Sequence, residues 1–325
     1  MNVIVIGLGS MGKRRIRLLS ELSDINIFGI DSNLERCKEV EERYCIRTFS
    51  NIAEAVSQED ISAAIISTSP LSHANIIKEC LENNLHVFTE INLVKDSYEE
   101  NMALAREKGL VLFLSSTFLY EDDTLEIIKK CHEAKCKMNY IYHVGQYLPD
   151  WHPWENYNNY FIGNPRTNGC REIMAIEFPW IVTCFGPIKS FNALKSKNTE
   201  LNIEYNDNYL ITLEHENGCK GVFAVDVVAR NPVRCLDIYG ENIQLYWNGS
   251  IDTLIEYDFR EKKLKSIDLG IESEHIDGYA AFIDEKPYRN ELDAFINQIK
   301  SPDTQPIWDF NKDRVILDLI DKIES

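Results

Sequence analysis

The feature that most constrains this chain is its opening. The apolar run Val3-Ile4-Val5-Ile6 leads into Gly7-Leu8-Gly9-Ser10-Met11-Gly12, and apolar residues then recur at helical spacing through Met11 to Glu21, as at Ile16, Leu18 and Leu19. A buried strand, a glycine turn and an amphipathic helix in that order predict the first half of a βαβ unit. The first glycine permits the tight turn. The second lets backbone approach a pyrophosphate, and the third lets helix and strand pack closely. The helix N-terminus adds amide donors and a favourable dipole. Asp31 closes the second strand 19 residues after Gly12, where a carboxylate can accept from the adenosine ribose hydroxyls and repel a 2′-phosphate. The expected cofactor is therefore NAD rather than NADP, with Arg36 near enough to reach in. A glycine turn serving the fold alone is the competing reading.

Strand-like and helical runs alternate onward to about residue 116. Ile25–Ile30, Ile46–Phe49, Ala63–Ser67, Val87–Glu90 and Leu110–Leu114 read as strands, and Asn33–Tyr44, His73–Asn83 and Ser97–Lys108 as helices. The strands are almost continuously apolar, as in a parallel sheet covered on both faces. After a helix at Asp122–Ala134 the pattern changes to longer alternating segments: Tyr140–Tyr147, Lys189–Leu194, Asn208–His215, Gly221–Val228 and Cys235–Trp247. Turn signals such as Glu216-Asn217-Gly218 separate several of them. The tail, Arg289–Lys300 and Lys312–Glu324, is helical. The predicted class is α/β: a doubly wound parallel sheet over residues 1–118, then an α+β domain on an open, mostly antiparallel sheet over residues 119–325. The tail helices are candidates to fold back on the first domain.

With 325 residues the chain fits two domains, and 44% hydrophobic content suffices for a real core. A formal charge of −18 argues against a nucleic-acid surface and against anionic lipid. No apolar run is long enough to span a bilayer, and the start carries no secretory pattern, so a cytoplasmic protein is expected. The nine cysteines show neither C-x-x-C nor zinc spacing, which predicts reduced thiols and no metal.

Four segments together resemble the glucose-fructose oxidoreductase, inositol dehydrogenase and rhizopine-catabolism (Gfo/Idh/MocA) family. They are the opening G-L-G-S-M-G-K-R-R, the stretch Ser67-Thr68-Ser69-Pro70-Leu71-Ser72-His73, His86-Val87-Phe88-Thr89-Glu90, and Cys184-Phe185-Gly186 closing a helix. The resemblance runs over the whole chain. It implies an NAD-dependent oxidoreductase that moves a hydride between nicotinamide and a hydroxyl or carbonyl of a sugar or sugar derivative held between the domains. It also implies a homodimer or homotetramer formed through the C-terminal sheet. The cofactor set it implies is Gly7, Gly9, Ser10, Met11, Gly12, Asp31, Thr68, Ser69, Pro70, His73 and Glu90. An ordinary helix-start histidine and a strand-end acid are the plainer readings of the last two. Of Lys13, Arg14 and Arg15, at least two are expected on a solvated face.

The sequence departs from the family where protons are handled. The usual E-K-P motif reads Glu90-Ile91-Asn92, and the usual histidine position, counted back from Gly186, falls on Ile176. Isoleucine neither donates a hydrogen bond nor carries charge. Replacement chemistry is sought in Gly145-Gln146-Tyr147-Leu148-Pro149-Asp150-Trp151-His152-Pro153-Trp154-Glu155. There His152, with Asp150 or Tyr147, is the catalytic candidate, and a structural loop is the plainer reading. Trp151 and Trp154 are the candidates to stack on a sugar, and Glu177 is the remaining acid of the usual polar set. D-W-H-P-W together with E-I-N resembles a bacterial subgroup near surface-sugar biosynthesis. Two alternatives stay open: an NAD(H)-binding sensor or partner subunit without dehydrogenase activity, and tightly held NAD recycled within one turnover.

Overall fold

The computed structural model describes residues 1–151, 155–270 and 284–325. His152 and Trp154, and His275, for which only a surface or core place is expected, lie outside the described residues. The chain divides into two compact units, Met1–Ser116 with Tyr288–Val315, and Thr117–Pro287 with Ile316–Ser325. The division is not contiguous: residues 288–315 of the helical tail cluster with the N-terminal unit.

The first unit alternates strands and helices: β1 (Asn2–Ile6), α1 (Ser10–Ser20), β2 (Asn26–Ile30), α2 (Leu34–Tyr44), β3 (Arg47–Phe49), α3 (Ile52–Gln58), β4 (Ala63–Ile66), α4 (Pro70–Glu82), β5 (His86–Thr89), α5 (Tyr98–Lys108) and β6 (Leu112–Leu114). The six strands form one parallel sheet in the order β3-β2-β1-β4-β5-β6. Strand order reverses between β1 and β4, and in such sheets the crevice at the carboxyl ends of those strands takes ligands. β4 is buried along its whole length, as its unbroken apolar sequence requires. Asn33 caps α2 by accepting from the amides of Glu35 and Arg36, and Asn51 caps α3, a short helix the sequence reading does not anticipate. Helix α4 begins three residues before His73, because Pro70 at its first turn lacks only a hydrogen that has no partner there.

The second unit contains α6 (Asp122–Ala134), β7 (Met138–Gly145), α7 (Gly169–Phe185), β8 (Ile188–Ser196), β9 (Asn208–His215), β10 (Lys220–Asp226), β11 (Val233–Gly240), β12 (Ile243–Trp247), β13 (Ile255–Asp258) and β14 (Lys263–Ser266). The segment Cys235–Trp247, read as one strand, is two strands joined by a tight turn at Glu241-Asn242. The eight strands run β14-β13-β12-β11-β7-β10-β9-β8, antiparallel except for the β7–β10 pair. One face is aromatic and buried. Tyr142 stacks on Phe223 and meets Trp180 of α7 edge-on, and Tyr140 stacks on Phe185 at 4.2 Å between ring centroids. The opposite face exposes Ile141, Leu194, Leu210 and Val222. Two helices complete the chain, α8 (Lys286–Lys300) and α9 (Phe310–Glu324). Among the described residues no helix is long and apolar enough to cross a membrane, and no group of three His, Cys, Asp or Glu residues is placed to hold a metal ion.

Candidate functional site

The glycine turn has the geometry of a dinucleotide cradle. Gly7 sits at φ +91°, and a Cβ there would stand 2.7 Å from the Ser67 carbonyl oxygen. A Cβ on Gly12 would stand 1.9 Å from the Gly7 carbonyl oxygen, so only glycine lets α1 meet the turn. Gly9 differs: the nearest atom to a Cβ there is Arg36 Nη1, at 3.9 Å. The space over Gly9 is open, and no side chain caps the N-terminus of α1. An open glycine beneath an uncapped helix start fits a pyrophosphate, with amides at Ser10, Met11 and Gly12 as donors.

Asp31 is held firmly. Its Oδ2 accepts from the Leu8 amide and its Oδ1 from the Asn33 amide, both at 2.7 Å. The carboxylate thus ties the glycine turn to the start of α2. Ser67-Thr68-Ser69-Pro70 forms the neighbouring turn into α4, with Thr68 Oγ1 2.8 Å from Ser72 Oγ. Ser69 is the backbone cap of that helix.

His73 is buried. Its Nε2 donates to the Thr68 carbonyl at 3.0 Å, its Nδ1 lies 2.7 Å from Asn92 Oδ1, and burial lowers its pKa. It therefore braces the 67–70 turn from within and offers a ligand no ring nitrogen. Glu90 is likewise engaged. Arg15 Nε and Nη2 grip its two carboxylate oxygens at 2.7 and 3.0 Å, and Nη2 also donates to Glu291 of α8 at 2.9 Å. Glu291 in turn accepts from Ser115 Oγ and the Ser116 amide. Burial works against charge on Arg15, but the two carboxylates outweigh it and hold the guanidinium pKa above its ordinary value. The expectation of a solvated basic face fails here. Arg14 and Arg15 are both buried, and only Lys13 is turned outward, toward Glu39. The reason is helical spacing, which carries positions 14 and 15 under Tyr288 of the same unit.

In the second unit a cavity of about 320 Å³ is lined by Gln146, Trp151, Glu172, Ile176, Arg234 and Asn248, among others. Trp151 is held in place by Nε1 donating to the Gln146 carbonyl at 2.9 Å. Tyr147 lies beneath Arg230, whose guanidinium carbon is 3.9 Å from the ring centre, and Asp150 is exposed.

Glu177 is a correction. It is fully buried and accepts from Tyr142 Oη, Trp180 Nε1 and Arg234 Nη2, each at 2.7 Å. It holds Arg234 from behind and is not among the residues lining this cavity, because position 177 faces the sheet. The acid that does line the cavity is Glu172, one helical turn before Ile176. It is half-buried, and burial alone pushes its pKa up to about 7. Its i, i+4 relation to Ile176 is the one signal of it in the sequence.

Three further histidines are hydrogen-bonded within the protein. His132 bonds the Thr183 carbonyl, His143 pairs with Asp226 at 2.6 Å, and His215 lies buried between Tyr140 Oη and the Gly186 carbonyl.

Residues 1–116 match the model of the Gfo/Idh/MocA oxidoreductase family, with its NAD-binding Rossmann fold. Over 122 residues the chain is 29% identical to 4-carboxy-2-hydroxymuconate-6-semialdehyde dehydrogenase of Sphingobium sp. (strain NBRC 103272 / SYK-6), covering 36% of this chain and 38% of that protein. It is 27% identical over 122 residues to inositol 2-dehydrogenase of Renibacterium salmoninarum, covering 35% and 37%. The chain thus spans under two fifths of the length of these curated relatives. A levoglucosan dehydrogenase solved with NADH and L-sorbose superposes with a TM-score of 0.80 at 15% identity, covering 100% of this chain and 95% of that one. At that identity the likeness is one of fold, and it extends over both units.

Proposed function

We propose that the protein, whose residues 1–116 match the model of the Gfo/Idh/MocA oxidoreductase family, is an NAD-dependent oxidoreductase acting on a CH–OH group of a sugar or sugar derivative. The observation that carries this reading is the cradle: an open Gly9 between two glycines that tolerate no side chain, under an uncapped helix start. When bound, the nicotinamide would accept or return the hydride. The chain's own contribution is binding and proton handling. Ser10 to Gly12 would donate backbone N–H groups to the pyrophosphate, and Asp31 would fix the turn that presents them.

Proton handling falls to Glu172. A carboxyl with a pKa of about 7 is poised to take or give a proton near neutrality, and it lines the same cavity as Ile176, where the family's histidine is lost. Trp151 offers an apolar face and Gln146 and Asn248 offer amides, which suits a polyhydroxylated ring. The exposed aliphatic face of the second sheet supports a homodimer or homotetramer, since two copies can bury the same patch symmetrically. A cytoplasmic setting follows from the acidic, thiol-rich composition.

The test is to mix the protein with NAD+ and a panel of sugars, sugar acids and sugar nucleotides, and to read NADH absorbance. Turnover of any member supports the enzyme reading over that of a non-catalytic NAD(H) sensor. Lack of dinucleotide binding by thermal shift would overturn both.

A further inference from the structure

The cavity of the second unit has a cation built into its wall. Arg234, near the start of β11, is the one basic residue lining it among the described residues. Its side chain is 25% exposed and is gripped on three sides. Nη2 donates to Glu177 Oε1 at 2.7 Å, and the guanidinium carbon stands 4.4 Å from the centre of the Phe118 ring. The aliphatic stem runs against Gly249, where a Cβ would stand 2.9 Å from Arg234 Cβ. Glu177 takes up one of the five N–H groups of the guanidinium, and Nε is buried with no acceptor among the described residues. A side chain held this firmly loses little freedom when a ligand arrives.

The charges nearby favour an anion of one charge. Tyr142 Oη and Trp180 Nε1 both donate to Glu177 Oε2, drawing its charge back from the cavity. Burial pushes up the pKa of Glu121 and Asp123, the other acids that act on Arg234, and of Glu172 in the cavity lining. A guanidinium fork matches a carboxylate. A phosphate dianion would add a second charge to a site that already holds Glu177.

We infer that Arg234 anchors a carboxylate of the substrate, so that the sugar derivative this cavity takes is a sugar acid. The carboxylate accepts from the guanidinium, while Trp151 and the amides of Gln146 and Asn248 are left for the ring and its hydroxyls. Arg234 thereby sets specificity. A neutral sugar leaves the guanidinium's donors unmet, which is how a polar site rejects an analogue lacking the matching group. This inference rests on the oxidoreductase reading proposed above.

The experiment is calorimetric titration of the full chain with D-glucuronate, D-galacturonate and D-gluconate, against D-glucose and D-galactose. In the wild type at least one acid should bind at least about tenfold more tightly than its neutral parent, the scale of one charge-assisted contact. Arg234→Met alone would strand Glu177, so the main variant is Arg234→Met with Glu177→Gln, which removes both charges. It should weaken the acid at least about tenfold and the neutral sugars less than about threefold. Arg234→Lys keeps the charge but loses the fork, and should fall between the two. A cooperative thermal transition reports that each variant is folded, and the wild-type comparison decides even where a variant does not fold. Three results would overturn the inference: no acid that binds, neutral sugars that bind as tightly as the acids, or acid binding that survives in the folded double variant. An acid that binds through Arg234 yet yields no NADH when mixed with NAD+ removes the oxidoreductase reading and leaves the anchor in place.

Discussion

Glu172 and Ile176 stand one helical turn apart on α7 and line the same cavity. The pair joins an acid of raised pKa to an aliphatic residue on one cavity wall. Glu172 is the proposed proton handler of this cavity, four residues before Ile176.

Glu172→Gln should therefore cut kcat by about a hundredfold or more, the usual scale for loss of a general base, with KM changed far less. In the oxidation direction the wild-type rate should rise with pH through about 7, and that limb should vanish in the variant. A variant with full activity would remove Glu172 from the chemistry.

The same substitution carries a stability signature of definite sign. The folded-state pKa of Glu172 is raised from 4.5 to about 7, so the folded state binds the extra proton between those values. The cost of the buried charge is absent below 4.5 and complete above about 7. Glu172→Gln should raise Tm above pH 7 by a few degrees and leave it unchanged near pH 4. Thermal scans of both proteins across that range measure the difference.

His152→Ala tests the sequence's own catalytic candidate. If His152 supplies the proton route, turnover on an identified substrate falls at least about tenfold. If Glu172 supplies it, the His152 variant stays within about threefold of wild type while Glu172→Gln does not.

Gly12→Ala should damage the first unit directly. Its Cβ would sit 1.9 Å from the Gly7 carbonyl oxygen, so helix and turn must separate. A loss of roughly 1–3 kcal/mol in stability is expected, along with loss of NADH-induced thermal protection. An alanine variant that kept both would show the cradle to be looser than its geometry implies.

Arg15→Met should destabilise the protein by about 3–5 kcal/mol, because it leaves Glu90 and Glu291 without their shared cation. Adding Glu291→Gln to it should recover part of that loss, since one buried charge is then removed. Denaturant unfolding of the single and double variants provides the comparison.

The glycine-rich turn was legible because its signal is local. Gly7, Gly9 and Gly12 act within one strand, one turn and one helix, and the backbone rules that demand glycine operate over a few residues. The strands of the first sheet were legible for a related reason: burial on both faces leaves an unbroken apolar run. The second sheet was less so. β13 and β14 are four residues each and partly exposed, so they show no apolar run, and the turn between β11 and β12 lacks the glycine that marks most tight hairpins.

By itself, then, the sequence determined a doubly wound dinucleotide fold and its glycine-rich turn. Only the tertiary structure decided which charged groups are tied up inside the protein and which line a cavity. Glu177, His73 and Glu90 were all plausible site residues, and all three are spent on Arg234, Thr68 and Arg15 inside the protein. Glu172, five residues from Glu177 on the same helix, opens on the cavity instead. The physical reason is that a side chain's partners and solvent are supplied by distant segments. Residues five apart on a helix differ by about 140° in direction, and burial across that angle separates an internal strut from a group that lines a cavity.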